Sequence, residues 1–166
     1  MNTLPRWRLL MILPILAGLP SCLVAQNNKS DTKKLSIKNM IDSQRFVFDA
    51  QSVSPMRGGY RNLTSAYDVT VSKDSLVSYL PFFGRSYDDN IAYGSTTPVL
   101  NFTSTRFTYA VSPYKKDGWN IVIKPSDHTD IAQYQFTVFD NGSASLTVDS
   151  NSRDAISFNG YIRKKN

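Results

Sequence analysis

The sequence predicts a mainly β protein: an antiparallel up-and-down meander of eight or nine strands, closing into a barrel or half-barrel, with one N-terminal helix. Three observations carry this. Apolar residues recur with a period of two from Arg45 to the C-terminus. Short turn signals separate the alternating runs. Good helix formers are scarce, since all 13 acidic residues are Asp, while aromatics reach 12%. With 166 residues and 41% hydrophobic side chains the chain suits one domain, and neither a helix bundle nor a disordered chain fits.

The N-terminus reads as an export signal rather than as part of the fold. Arg6 and Arg8 precede an apolar run from Leu9 to Leu19 that is too short for a permanent membrane span. Two cleavage readings stand side by side. Leu19-Pro20-Ser21-Cys22 fits a bacterial lipoprotein signal covering residues 1–21, with Cys22 lipidated, and Leu23-Val24-Ala25 fits ordinary signal peptidase, giving a signal of residues 1–25. Cleavage after Ala25 leaves 141 residues (166 − 25) and 17 basic side chains (19 − 2) against 13 acidic ones, a net charge of about +4. Because Cys22 is then lipidated or removed, the folded part holds no thiol and packs without disulfides. Export implies a periplasmic or outer-membrane location.

Residues 26–44 read as a polar linker and a helix. Ser30 or Asp31 serves as its N-cap, and Ile37, Met40 and Ile41 form one apolar stripe towards Ser43. Lys33, Lys34 and Lys38 lie mostly off that stripe and read as a solvated face.

Residues 45–166 then alternate as a barrel domain. The expected inward faces are Phe46, Phe48 and Ala50; Tyr67, Val69 and Val71; Phe107, Tyr109 and Val111; and Trp119, Ile121 and Ile123. Tyr134, Phe136 and Val138, then Ala144, Leu146 and Val148, then Ile156, Phe158 and Ile162 continue the pattern. Their polar neighbours, such as Thr108, Asn120, Gln135 and Thr147, belong on a wet face. Asp140-Asn141-Gly142 is the best hairpin signal, and Ser72 to Ser75, Lys115 to Gly118 and Ser150 to Arg153 read as further turns. No helical crossover separates the later strands, which excludes a parallel sheet, and closure removes exposed edges.

Two segments break the alternation. Ser54-Pro55-Met56-Arg57-Gly58-Gly59-Tyr60-Arg61 sits between the first two strands, and an irregular stretch runs from Leu80-Pro81-Phe82-Phe83-Gly84-Arg85-Ser86-Tyr87 to Pro98. Arg57, Tyr60, Arg61, Phe83, Arg85 and Tyr87 therefore fall on loops, where binding is expected: guanidiniums suit carboxylates or phosphates, and the rings offer stacking faces. The competing reading ties the same arginines to Asp68, Asp88 or Asp89 as loop fasteners.

The string FVFDAQSVSPMRGGYRNLTSAYDVTVSKDSLVSYLPFFGRSY, with GWNIVIKP and ISFNGYI, resembles an uncharacterised family of exported proteins from Gram-negative bacteria, domain of unknown function 4251 (DUF4251). The most specific parts are Pro55 to Gly58, Ser78-Tyr79-Leu80-Pro81 followed by Phe83-Gly84-Arg85, and Ile156 to Tyr161. The resemblance implies a lipocalin-like barrel and no activity.

The chemical inventory is poor. The lone His128, in Ser126-Asp127-His128-Thr129-Asp130, reads as part of a polar hairpin turn, with no second His or Cys to complete a metal set. Asp88 and Asp89 are adjacent and would point apart on a strand, which does not suit a glycosidase pair. Nucleophile elbows, phosphate loops and dinucleotide fingerprints are missing. The expectation is no catalytic residue, no metal and no cofactor. Scattered cations and export argue against nucleic acid, and Asp74-Ser75-Leu76 resembles a short O-glycosylation motif but reads better as a plain hairpin turn. Two functions remain. One is a non-catalytic binding module for a small amphipathic or anionic ligand, and the other an envelope accessory protein with a filled core and no pocket, bound to another envelope protein or to cell-wall material.

Overall fold

The computed structural model describes residues 24–83, 100–115 and 117–165. It comprises helix α1 (Val24–Asp42) and nine strands: β1 (Phe46–Pro55), β2 (Arg61–Val71), β3 (Leu76–Leu80), β4 (Leu100–Ser104), β5 (Phe107–Tyr114), β6 (Gly118–Pro125), β7 (Ile131–Phe139), β8 (Ser143–Ser150) and β9 (Ile156–Lys164). The strands form one antiparallel sheet in the order β4-β3-β2-β1-β9-β8-β7-β6-β5. The expected meander is thus present, with the first four strands and the last five joined through the β1–β9 pairing.

The sheet nearly closes into a barrel. Thr105 and Arg106 carry the chain from edge strand β4 to edge strand β5, and the turn after β6 fastens this crossing. The N–H and Oγ of Ser126 both donate to Arg106 O, at 2.7 and 2.9 Å. The Asp127 carboxylate accepts from the Ser104 hydroxyl and from the backbone N–H groups of Thr105 (2.9 Å) and Arg106 (3.2 Å). Those donors, led by the Ser104 hydroxyl, hold Asp127 at a pKa of about 2, so it stays ionised through mildly acidic pH.

The interior is filled by the inward faces of the strands. Phe136 meets Phe46 and Phe48 edge to face, with centroids 5.9 and 5.7 Å apart, which is the favoured aromatic geometry. Tyr134, on β7, donates its hydroxyl to Ser78 Oγ on β3 at 2.9 Å. These strands are not neighbours in the sheet, so the bond crosses the interior. Burial pushes the Tyr134 hydroxyl well above its ordinary pKa, and it therefore stays a donor. Both partners are buried and each satisfies the other.

Three features depart from simple alternation. Helix α1 starts at Val24 rather than at Ser30 or Asp31, because Gln26 to Ser30 contains no breaker and continues the helix backwards. It ends in a Schellman motif: Arg45 N–H donates to Met40 O (3.0 Å), Gln44 N–H to Ile41 O (3.1 Å), and Gln44 takes the left-handed conformation at φ 53°. Second, the β1 register shifts between Ala50 and Ser52, so Ser52 and Val53 are both buried. Third, Val111 is 41% exposed rather than inward-facing and buried, since β5 is an edge strand paired only with β6.

Helix α1 packs at one end of the barrel. Ile37, Met40 and Ile41 are buried as the stripe predicts, and Tyr109 donates its hydroxyl to Ile41 O at 3.0 Å. Ile37 lies against Gly142 of the β7–β8 turn, where a Cβ would come within 3.1 Å of Ile37 Cδ1. Lys34 reaches Asp117 (3.0 Å) and Asp140 (4.0 Å) on the two turns at that end. These exposed ion pairs orient the helix more than they stabilise it. The opposite end, the mouth, is formed among the described residues by the β1–β2, β6–β7 and β8–β9 connections together with Pro81 to Phe83 after β3, and α1 does not cover it.

Candidate functional site at the open mouth

The β1–β2 connection reaches the mouth through Gly58 and Gly59, at φ 108° and 75°, a region that side chains rarely tolerate. This turn returns the chain so that Arg61 opens β2 with its guanidinium 5.4 Å over the ring of Phe83. Phe83 is itself packed against the core, giving the cation a fixed aromatic platform. Arg57 is exposed on the same connection. Tyr60 is 63% exposed, and its hydroxyl donates to Asn62 Oδ1 at 2.9 Å. Of the six residues expected to bind, Arg57, Tyr60, Arg61 and Phe83 thus share one end of the barrel. Arg85 and Tyr87 lie outside the described residues, as do Asp88, Asp89 and Cys22. Asp68, one of the proposed loop fasteners, accepts from Thr70 Oγ1 and lies within electrostatic reach of Arg163.

A second arginine stack sits beside the first. Arg153, in the β8–β9 connection, lies 5.6 Å over the ring of Phe82, the neighbour of Phe83. Two adjacent phenylalanines thereby seat two guanidiniums. Arg153 is only 8% exposed, and its Nε is buried without a hydrogen-bond partner. Sequence reading gives Arg153 no role beyond ending a turn, because nothing local signals the burial of a turn arginine.

Next to Arg153 a cleft of about 480 Å³ opens between β4 and the β6–β7 turn, lined in part by Phe102, His128, Ile131 and Arg153. Its walls are fastened to each other. The Asn151 backbone N–H and the Ser150 hydroxyl donate to Asp130 O at 2.9 and 2.8 Å, and Asn151 Nδ2 donates to Thr129 O at 2.7 Å. His128 lies in the turn where the sequence places it. Its ring centroid stands 4.2 Å from that of Phe102, and its Nε2 is 3.1 Å from Thr103 O, which makes Nε2 the donor in that bond.

A model of the family described as Domain of unknown function (DUF4251) matches residues 28–162, most of the chain. Among solved structures, the chain is similar to a crystal structure of a DUF4251 family protein from Bacteroides eggerthii, at 17% identity and a TM-score of 0.58, covering 80% of this chain and 88% of that one. At that identity the likeness shows the fold alone. No curated protein matches the chain.

Proposed function

This chain belongs to the DUF4251 family, a domain of unknown function, and we propose that it is an exported, non-catalytic binding module of the cell envelope that takes a small amphipathic or anionic ligand at the open mouth of the barrel. The observation that carries this reading is the pair of arginine-on-phenylalanine stacks, Arg61 on Phe83 and Arg153 on Phe82, at the end opposite α1. Guanidiniums held on rings keep their outward donors for a ligand's anionic group, while the rings and the adjacent cleft accept its apolar part. The N-terminal signal motif supports export, and a lipidated Cys22 would supply membrane attachment. Among the described residues no helix is long and apolar enough to cross a membrane.

A second reading, an accessory protein that docks on another envelope protein, is favoured by the filled interior. Phe46, Phe48, Tyr134, Phe136 and Phe158 are all fully buried, and a ligand deep inside the barrel would have to displace them. The mouth avoids this conflict, because binding there leaves the core intact.

Octanoate, titrated calorimetrically into the purified full-length protein below its micellar concentration, tests the reading. Arg61→Ala is expected to weaken octanoate binding by about five- to tenfold, corresponding to roughly 1–1.4 kcal/mol, with little change in melting temperature. Unchanged affinity with a melting temperature several degrees lower would assign Arg61 to loop structure instead.

A further inference from the structure

The cleft beside Arg153 has a more specific chemistry than the rim. A cation taken out of water is costly unless it is paired, and buried donors are normally satisfied. Arg153 departs from this: it is more than nine-tenths buried and its Nε lacks a hydrogen-bond acceptor. The side chain is not loose, since Phe82 holds the guanidinium and the bonds from Ser150 and Asn151 to the β6–β7 turn fix the backbone that carries it.

The other walls limit what could satisfy it. Asp127 and Asp130 border the same cleft. Asp127 is ionised and already accepts from Ser104, Thr105 and Arg106, so it neither pairs with Arg153 nor loses its charge. Carboxylates on the cleft wall repel a dianion such as phosphate more strongly than a monoanion, so the guanidinium favours a singly charged ligand. The rings of Phe102 and His128, tilted 36° to each other, form with buried Ile131 a wall against which an apolar ring can pack.

We infer that Arg153 anchors the carboxylate of a small, flat monocarboxylic acid, whose apolar ring lies against Phe102 and His128. The planar guanidinium matches a carboxylate bidentately, whereas a lysine ammonium would not. This inference rests on the reading of the mouth as a binding face, and it names the ligand class and the anchoring residue.

Benzoate is the probe and inorganic phosphate the comparison, both followed by NMR on the full-length protein. Benzoate should shift the Nε–H resonance of Arg153 and the amides of residues 128–131 saturably, and phosphate at equal concentration should not. Arg153→Gln should weaken benzoate binding at least tenfold, and Arg153→Lys several-fold. Equal benzoate affinity in Arg153→Gln, or tighter binding of phosphate than of benzoate, overturns the inference. The wild-type resonances keep it falsifiable if Arg153→Gln fails to fold, since benzoate leaving the Arg153 Nε–H unmoved also overturns it. Octanoate shifts at the mouth without any benzoate response would defeat this inference alone, whereas no response to either acid would defeat the mouth reading with it.

Discussion

Replacing Phe136 by alanine is expected to lower the unfolding free energy by about 3–5 kcal/mol, the range for emptying a buried aromatic site. The ring is 0% exposed and lies against Phe46 and Phe48 from β1 and Tyr134 from its own strand, so its removal opens a cavity that these neighbours cannot all close. Urea unfolding would show it as a lower midpoint at an unchanged slope. A loss below about 1 kcal/mol would mean that the interior collapses freely and is not close-packed around this ring.

Gly160→Ala is expected to cost as much or more, about 3 kcal/mol and above, beyond the usual range for overpacking. A Cβ at Gly160 would lie 1.9 Å from Asp49 O and 2.9 Å from Asp49 C. Both are backbone atoms, so no side-chain rotation relieves the clash, and β1 and β9 must separate. The site coincides with the register shift between Ala50 and Ser52. A bulge of this kind bends the strand and re-aims the residues C-terminal to it. In this chain those residues lead into the β1–β2 connection, which carries Arg57 and delivers Arg61. The variant should therefore be poorly soluble, or fold with a much lower urea midpoint. Stability equal to wild type would contradict the close approach of the two strands.

The alternation of Phe46, Phe48 and Ala50, or of Tyr134, Phe136 and Val138, made the sheet legible because each inward residue faces a core common to all strands. Asp140-Asn141-Gly142 likewise announces its turn, with Gly142 at φ 82°. Two of the departures share one cause, which is dependence on partners distant in sequence. Val111 carries a strand pattern but lacks a covering neighbour, and the pairing of Ser52 with Asn159 comes after a bulge that alternation cannot announce. At the mouth, Gly58 and Gly59 made the placement of Arg57 and Arg61 readable. Arg153 was not readable, because its burial depends on Phe82, which arrives from the far side of the sheet.

The central claim is that ligand binding occurs at the mouth that α1 leaves open. Amide chemical-shift mapping of the isotope-labelled protein, titrated with octanoate, tests it most directly. The account predicts saturable shifts confined to residues 56–61, 126–131 and 150–155, with α1 and the turns at 72–75 and 140–142 unmoved. Shifts centred on α1 and those turns, or no saturable shift at all, would contradict it.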